Sequence, residues 1–256
     1  MPIRVIIPDS HGEHIDLPAR DAFLRDLKRL DPDEIVLLGD HLDCAGTFST
    51  HQRSYTNELA ESYEADVNAA NEFLSLVQKN APRAKCHYLE GNHEAHVERW
   101  ASRNFTQKRD ADRVLEALGP AAVLYLKQRG IRYYRRSEHY QGISIPGCIR
   151  LGKVYFVHGI SHSRHSAAAH LARFGDNVVF GHVHRSQSVV ERSVTREGFG
   201  AWCPGTLAKL QPLYKHTEPS SWSHGYGVQF VSKTGKFLHV NVPILAGKSL
   251  LTEVRI

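Results

Sequence analysis

Short apolar runs recur along the first two thirds of the chain, and each leads into a polar cluster rather than into further core-forming residues. Ile3 to Ile7 runs toward Asp9, Ile35 to Leu38 toward Asp40, Cys86 to Leu89 toward Asn92, Val154 to Val157 into His158, and Val178 to Phe180 toward His182. Such runs, bounded by turn-forming residues, predict buried strands. Between them the period becomes helical. Pro18 to Leu30 carries Phe23, Leu24, Leu27 and Leu30 on one face behind Asp16, a capping residue. Thr56 to Lys79 repeats the pattern with Leu59, Tyr63, Val67, Phe73, Leu74 and Val77 until Asn80 and Pro82 end it. This alternation predicts βαβ layers.

After the third cluster the pattern changes to helical pieces: Ala95 to Arg103, Asp110 to Leu118, and Ala121 to Gln128 following Gly119-Pro120. They predict a helical insertion at about 95–140 over the sheet edge. Strand signals then return, first around a helix predicted over Ser166 to Phe174, and later at Ser188 to Val194, Tyr226 to Ser232 and Lys236 to Val242. Turns such as Lys233-Thr234-Gly235-Lys236 join these strands, which fit a second, mixed sheet. Without a repeat or a Gly/Ser linker, residues 1–256 are expected to form a single domain.

The chain has 256 residues, 41% of them hydrophobic, enough for a full core. The apolar stretch before Asp9 is too short for a signal sequence or a membrane span, so a cytoplasmic protein with no membrane partner is expected. Cys44, Cys86, Cys148 and Cys203 are far apart with no CxxC pairing, which argues against a zinc knuckle or disulfide framework and for reduced thiols, some in the core. A net charge of +5 favours an anionic partner only weakly. Its distribution says more: Arg99 to Arg136 holds ten Arg or Lys against Asp110, Asp112 and Glu116. With Tyr133, Tyr134 and Tyr140 this segment suits a groove for a phosphate chain and bases. The alternative is a solvated helical face with the tyrosines packed inward. No obligate protein partner is evident.

The polar clusters read Asp9-Ser10-His11, Gly39-Asp40-His41-Leu42-Asp43, Gly91-Asn92-His93-Glu94, Val157-His158-Gly159 and Gly181-His182-Val183-His184. In an extended strand, residues i and i+2 face one side, so Asp9 and His11 are expected to reach one ion, and His182 and His184 one region. Asp40 stands at a strand end where two oxygens can bridge ions. Mixed nitrogen and oxygen donors without thiolates favour Mn, Fe, Zn, Ni or Mg. Of the seventeen histidines, His14, His51, His87, His139, His216 and His239 lie outside any motif and read as surface or structural residues.

In this order, the five motifs resemble the signature of the calcineurin-like metallophosphoesterase superfamily: DxH, GDxxD, GNH(D/E), a strand-end histidine, and GHxH. The resemblance spans about Ile3 to His184 and implies an α/β fold, a four-layer α-β-β-α sandwich with two mixed β-sheets. It implies one metal held by Asp9, His11, Asp40 and His184, and a second by Asp40, Asn92, His158 and His182. Mn2+ is the expected metal, with Zn2+, Fe, Ni2+ and Mg2+ as alternatives. His93 is implied to protonate the leaving oxygen or stabilise charge, with Asp43 as its partner. A carboxylate orients an imidazole and raises its pKa, so the pairing is chemically sound. The nucleophile implied is a hydroxide bridging the two metals.

Departures from the family's branches narrow the substrate. Ser/Thr protein phosphatases and bis-nucleotide tetraphosphatases read GDxxDRG, whereas this chain has Asp43-Cys44-Ala45 and then Ala95 after the GNHE motif. Without those basic positions, phosphodiester substrates are favoured, with nucleic acid, DNA or RNA, as the leading class. Arg164, Arg185 and His162, close after ligand motifs, are candidate phosphate contacts, and His165 is a candidate for the cleft border. Pro204-Gly205-Thr206 resembles the turn that follows GHxH in bacterial and nuclease-like members, and Trp222 suits packing nearby. The alternatives are a phosphomonoesterase, a cyclic-nucleotide phosphodiesterase, and a non-catalytic metal-binding scaffold; the last is disfavoured by the intact His93.

Overall fold

The computed structural model describes residues 1–44, 48, 62–135, 139–140, 143–145, 147–195, 198–211 and 220–253. The first sheet is built on three parallel strands, β1 (Ile3–Ile7), β2 (Glu34–Leu37) and β3 (Lys85–Leu89). β4 (Arg132–Tyr134) continues it in parallel beyond β3. A small pair, β5 (His139–Tyr140) and β6 (Ile143–Ser144), stands apart from both large sheets. The second sheet contains β7 (Cys148–Leu151), β8 (Val154–Val157), β9 (Val178–Phe180), β10 (Gln187–Glu191) and β11 (Phe199–Cys203), in the order β10-β11-β9-β8-β7. It is parallel from β11 to β8 and antiparallel at both edges. β12 (Gly225–Val231) returns to the first sheet antiparallel to β1, and β13 (Phe237–Leu245) and β14 (Lys248–Ser249) follow it in turn, each antiparallel to the strand before. Both sheets are mixed, as expected.

Alternation along the strands explains the layering. In β1, Val5 and Ile7 join the cluster packed under α1 (Leu17–Leu30) and α2 (Tyr63–Asn80), while Ile6 joins the layer between the sheets. That inner layer brings Ile6, Val36 and Leu38 against Phe156 and Val179. On the far side, Val157, Val178 and Phe180 pack against Ala167 and Leu171 of a later helix, Ser166–Phe174. The result is the four-layer α-β-β-α sandwich. Side chains such as Phe23, Leu27 and Phe156 are fully buried and each contributes about 1.5–3 kcal/mol, so the strand ends are held on a rigid base.

Caps set the helix boundaries. Asp16 accepts from the Ala19 amide at the start of α1. Ser62 accepts from the Ala65 amide, so α2 begins at Tyr63; the earlier part of the predicted helix, with Leu59, lies largely outside the described residues. His51, His216 and the side chains of His139 and Tyr140 also lie outside them.

In the insertion, α3 (Ala95–Asn104) and α4 (Lys108–Leu118) match expectation, but α5 covers only Pro120–Val123. Tyr125 adopts a left-handed φ of 52°, and the Ile131 amide donates to the Leu126 carbonyl, so the chain turns toward β4 instead of continuing as helix. Arg129 fixes this turn by donating to Leu124 O and to Gln78 and Asn71 of α2. Residues 95–140 therefore combine helices with a strand of the first sheet. α6 (Ser166–Phe174) matches its prediction, and α7 (Leu250–Glu253) was not anticipated.

Candidate metal centre

Parallel β1, β2 and β3 end at one edge of the first sheet, and parallel β8 and β9 end at one edge of the second, which is where such folds gather their loops. Backbone bonds tie these loops together. The Ser10 and His11 amides donate to Asp40 O, Gly181 N donates to His158 O at 2.7 Å, and the Leu38 carbonyl lies 2.9 Å from His158 Nδ1. The motif glycines permit this closeness. A Cβ on Gly91 would lie 2.0 Å from Asp40 Oδ1, and one on Gly39, where φ is +96°, would lie 2.7 Å from Gly91 N.

Three groups of donors, each with its ligand atoms within 4.8 Å of one another, lie among the described residues: Asp9, His11 and His184; Asp40, His158 and His182; and His11, Asp43 and His93. In the first, His184 Nε2 is 3.1 Å from both Asp9 Oδ2 and His11 Nε2. In the second, His158 Nε2 is 3.1 Å from Asp40 Oδ2 and 2.9 Å from Asn92 Oδ1, and the His158 and His182 rings are 5.1 Å apart. The third differs because its donors satisfy one another. Asp43 Oδ1 is 2.7 Å from His11 Nδ1 and 3.2 Å from His93 Nδ1, which also lies 3.0 Å from the Asp43 carbonyl.

His182 and His184 thus join different groups, contrary to the expectation that i and i+2 serve one region. That expectation holds for extended backbone. Here φ is +71° at His182 and +55° at His184, and this left-handed turn sends the two rings apart around buried Val183. His11 and Asp40 share the same uncommon conformation, with φ of 51° and 50°. Backbone strain concentrated on four donor-bearing residues marks a site the surrounding fold must enforce.

Two observations fit the groups to divalent cations. Asp40 Oδ2 is fully buried and makes no well-formed hydrogen bond, and two imidazole nitrogens face each other across 3.1 Å beside a carboxylate oxygen. A buried carboxylate oxygen is costly unless a cationic group compensates it, either the nearby His158 ring when protonated or a bound ion, and the N/O donor set suits hard or borderline ions.

The electrostatics of the metal-free cluster follow from burial and from its buried carboxylates. Burial opposes charge on His93, but Asp40 and then Asp43 overcome it and hold the imidazole well above its usual pKa. For His158, burial is likewise overcome, chiefly by Asp40, and the value rises to about 9. His182 is pushed down to about 4 by burial. Asp43 is held well below the usual carboxylate range because His93 and His11 outweigh its burial.

Residues around the donors fix the loops. Glu94, the last residue of the GNHE motif, accepts from the backbone amides of Asp40, His41, Leu42 and Gly91 and from Tyr88 Oη. The acid in GNHE was its signal. Asp66 of α2 accepts from the Asp43 and Cys44 amides, and nothing in its helical position announces this. Thr206 of the Pro-Gly-Thr turn donates through Oγ1 to Asp9 O, and Trp222 packs edge-on against His184 with ring centroids 4.1 Å apart. His14, read as structural, stands 3.8 Å from Asp43.

The substrate candidates lie at the rim. His162 is exposed, with its ring 6.0 Å from that of His182. Arg164 and Arg185 line a cavity of about 500 Å³ that also includes His165. In the insertion, Arg99 donates to Asn92 O at 2.7 Å. Most other basic side chains there are engaged: Lys108 with Asp112, Arg113 with Asp110, Arg135 with Glu98, and Arg132 over the Tyr134 ring. Tyr134 is buried in the inter-sheet core and Tyr133 bonds Glu90, so these two tyrosines pack inward rather than lining a groove. All four cysteines are buried and free. No helix among the described residues is long and apolar enough to cross a membrane.

Residues 4–186 match the family described as calcineurin-like phosphoesterase. Among curated proteins none matches the chain in sequence. Similar solved structures include Vacuolar Protein Sorting 29 from Cryptosporidium parvum, with a TM-score of 0.46 and 11% identity over 97% of this chain and 94% of that one. Vps29 from Entamoeba histolytica, as a single mutant, gives 0.41 and 12% over 93% and 98%. YfcE, a phosphoesterase from E. coli, gives 0.36 and 16% over 93% and 98%.

Proposed function

This chain belongs to the calcineurin-like phosphoesterase family, and on that premise we propose that it is a phosphodiesterase working with two divalent metal ions, Mn2+ being the expected pair. One observation carries the reading: Asp40 presents a buried carboxylate oxygen with no well-formed hydrogen bond, beside His158 and at the heart of the clustered donors. Asp9, His11, Asp40 and His184 would hold one ion, and Asp40, Asn92, His158 and His182 the other. When bound, the ions supply Lewis acidity toward phosphate oxygens and acidify a water molecule.

The protein's own groups supply the proton. His93 Nδ1 is taken by Asp43, which leaves Nε2 as the ring nitrogen nearest Asp40, 4.0 Å from Oδ2. From there His93 donates a proton to the departing oxygen or stabilises its charge. Asp43, beside Nδ1, favours the protonated ring, the form that can donate. Asp43 orients the ring, and its links to both imidazoles support a role as orienter rather than as a ligand.

Phosphodiesters are favoured over monoesters because the two motif positions that would add a basic side chain for a dianionic terminal phosphate hold Cys44 and Ala95. Cys44, where protein phosphatases carry arginine, is fully buried in the core, and Ala95 is buried as well. Nucleotides or nucleic acid are the proposed substrate class, with exposed Arg103 and Arg109 and the Arg164–Arg185 cavity as anionic contacts. The test compares bis-p-nitrophenyl phosphate with p-nitrophenyl phosphate in Mn2+. Preferential turnover of the diester is expected; turnover of the monoester alone excludes the diesterase reading.

A further inference from the structure

The cavity beside the GHxH turn differs in charge from the one under the insertion. Its lining includes Arg164, His165, Arg185, Ser186, Ser188 and Ser221, and none of its described lining residues is Asp or Glu. By contrast, the cavity of about 350 Å³ under the insertion is lined by Glu90, Glu94, Glu98, Asp112 and Glu116 with Arg135. Two cations and several hydroxyls without a carboxylate make a site for phosphate oxygens.

The site is joined to the metal centre by short stretches of chain. Arg185 directly follows His184, Ser221 precedes the Trp222 that packs on His184, and Arg164 is two residues beyond His162, which lies beside His182. Arg185 is anchored through Nη2 to Ser163 O at 2.8 Å, while its buried Nε has no hydrogen-bond partner. Gln187 accepts from Ala167 N, and Ser186 N donates to Ser223 Oγ, so the walls are braced from two sides.

We infer that this cavity is a second phosphate subsite, and that the substrate carries a further phosphate on the nucleoside attached to the scissile one. The inference rests on the phosphodiesterase reading for the identity of the first phosphate, and its primary test is binding without metal. Thymidine 3′,5′-bisphosphate is titrated into EDTA-treated protein, wild type and with Arg164→Ala or Arg185→Ala; exposed Arg164 guards against a folding defect at Arg185. Saturable binding is expected, weakened about tenfold or more in each variant, the effect of losing a charge-assisted hydrogen bond. Absent binding, or equal binding in all three proteins, overturns the subsite.

Competition by oligothymidylate assigns the phosphate to a polynucleotide, and competition by pyrophosphate alone to a small molecule. Competition by neither overturns the inference. If the protein turns over no ester while the arginine-dependent binding is present, the phosphodiesterase reading fails and the phosphate site stands. With activity, the p-nitrophenyl ester of thymidine 5′-phosphate should gain about tenfold in kcat/KM from a 3′-phosphate, and Arg164→Ala should bring that ratio near one.

Discussion

Asp43 Oδ1 stands 3.2 Å from Nδ1 of His93, and the same oxygen stands 2.7 Å from Nδ1 of His11. One carboxylate therefore orients both the proposed acid and a proposed metal ligand. Asp43→Asn is predicted to lower turnover about 10–100-fold and to weaken metal binding. The pH profile separates the two effects. A protonated His93 is fully present below its pKa and lost as pH rises through it; Asp43 raises that pKa. The alkaline limb of the rate profile should move to lower pH in the variant. An unmoved limb with lost metal would leave Asp43 only a structural support.

His93→Ala is predicted to keep two bound metals while turnover falls about 10²–10⁴-fold, the range for losing a general acid. Metal content by elemental analysis, measured with the rate, checks this. Loss of metal would make His93 a ligand.

Metal binding should release protons. Without metal, Asp40 holds His158 protonated up to about pH 9 despite its burial, and an imidazole must be neutral to ligate. Calorimetry at pH 7 in buffers of different ionisation enthalpy should detect this release, and metal affinity should rise with pH toward 9. Linkage gives stability the opposite trend: because the folded pKa is raised, metal-free protein should lose the His158 contribution as pH climbs from about 6.5 through 9. Binding without proton release would remove His158 from the ligand set.

Arg99, Arg103 and Arg109 are the insertion's test residues for nucleic acid. Arg99 donates to the carbonyl of Asn92, and Arg109 is largely exposed. Replacing all three by Ala should weaken single-stranded DNA binding and reduce the slope of log K against log salt by about two. An unchanged slope would return the insertion to ordinary structure, in line with its many internal ion pairs.

The strands that carry the motifs were legible, as were the motif residues that the structure gathers into candidate donor groups, because each apolar run ends where a polar motif begins, a pattern local in sequence. β11 was not legible: Phe199 to Cys203 has Gly200 and Ala201 at its middle and becomes a strand only between β9 and β10. β4 is three residues long and depends on β3 for its pairing. Strand spacing alone set His182 and His184 in one region, and only the family resemblance divided them between two metals, because left-handed φ values leave no trace in residue type here. Glu94 and Asp66 act through backbone amides from distant loops, contacts that only the tertiary fold creates.

The most direct measurement is a Mn2+ titration of EDTA-treated protein while hydrolysis of bis-p-nitrophenyl phosphate is followed. No turnover in EDTA, activation saturating at two equivalents per chain, and loss of activation in Asp40→Asn are the predicted results. Turnover in EDTA, saturation at one equivalent, or no turnover with any divalent ion would contradict a two-metal phosphodiesterase built around Asp40.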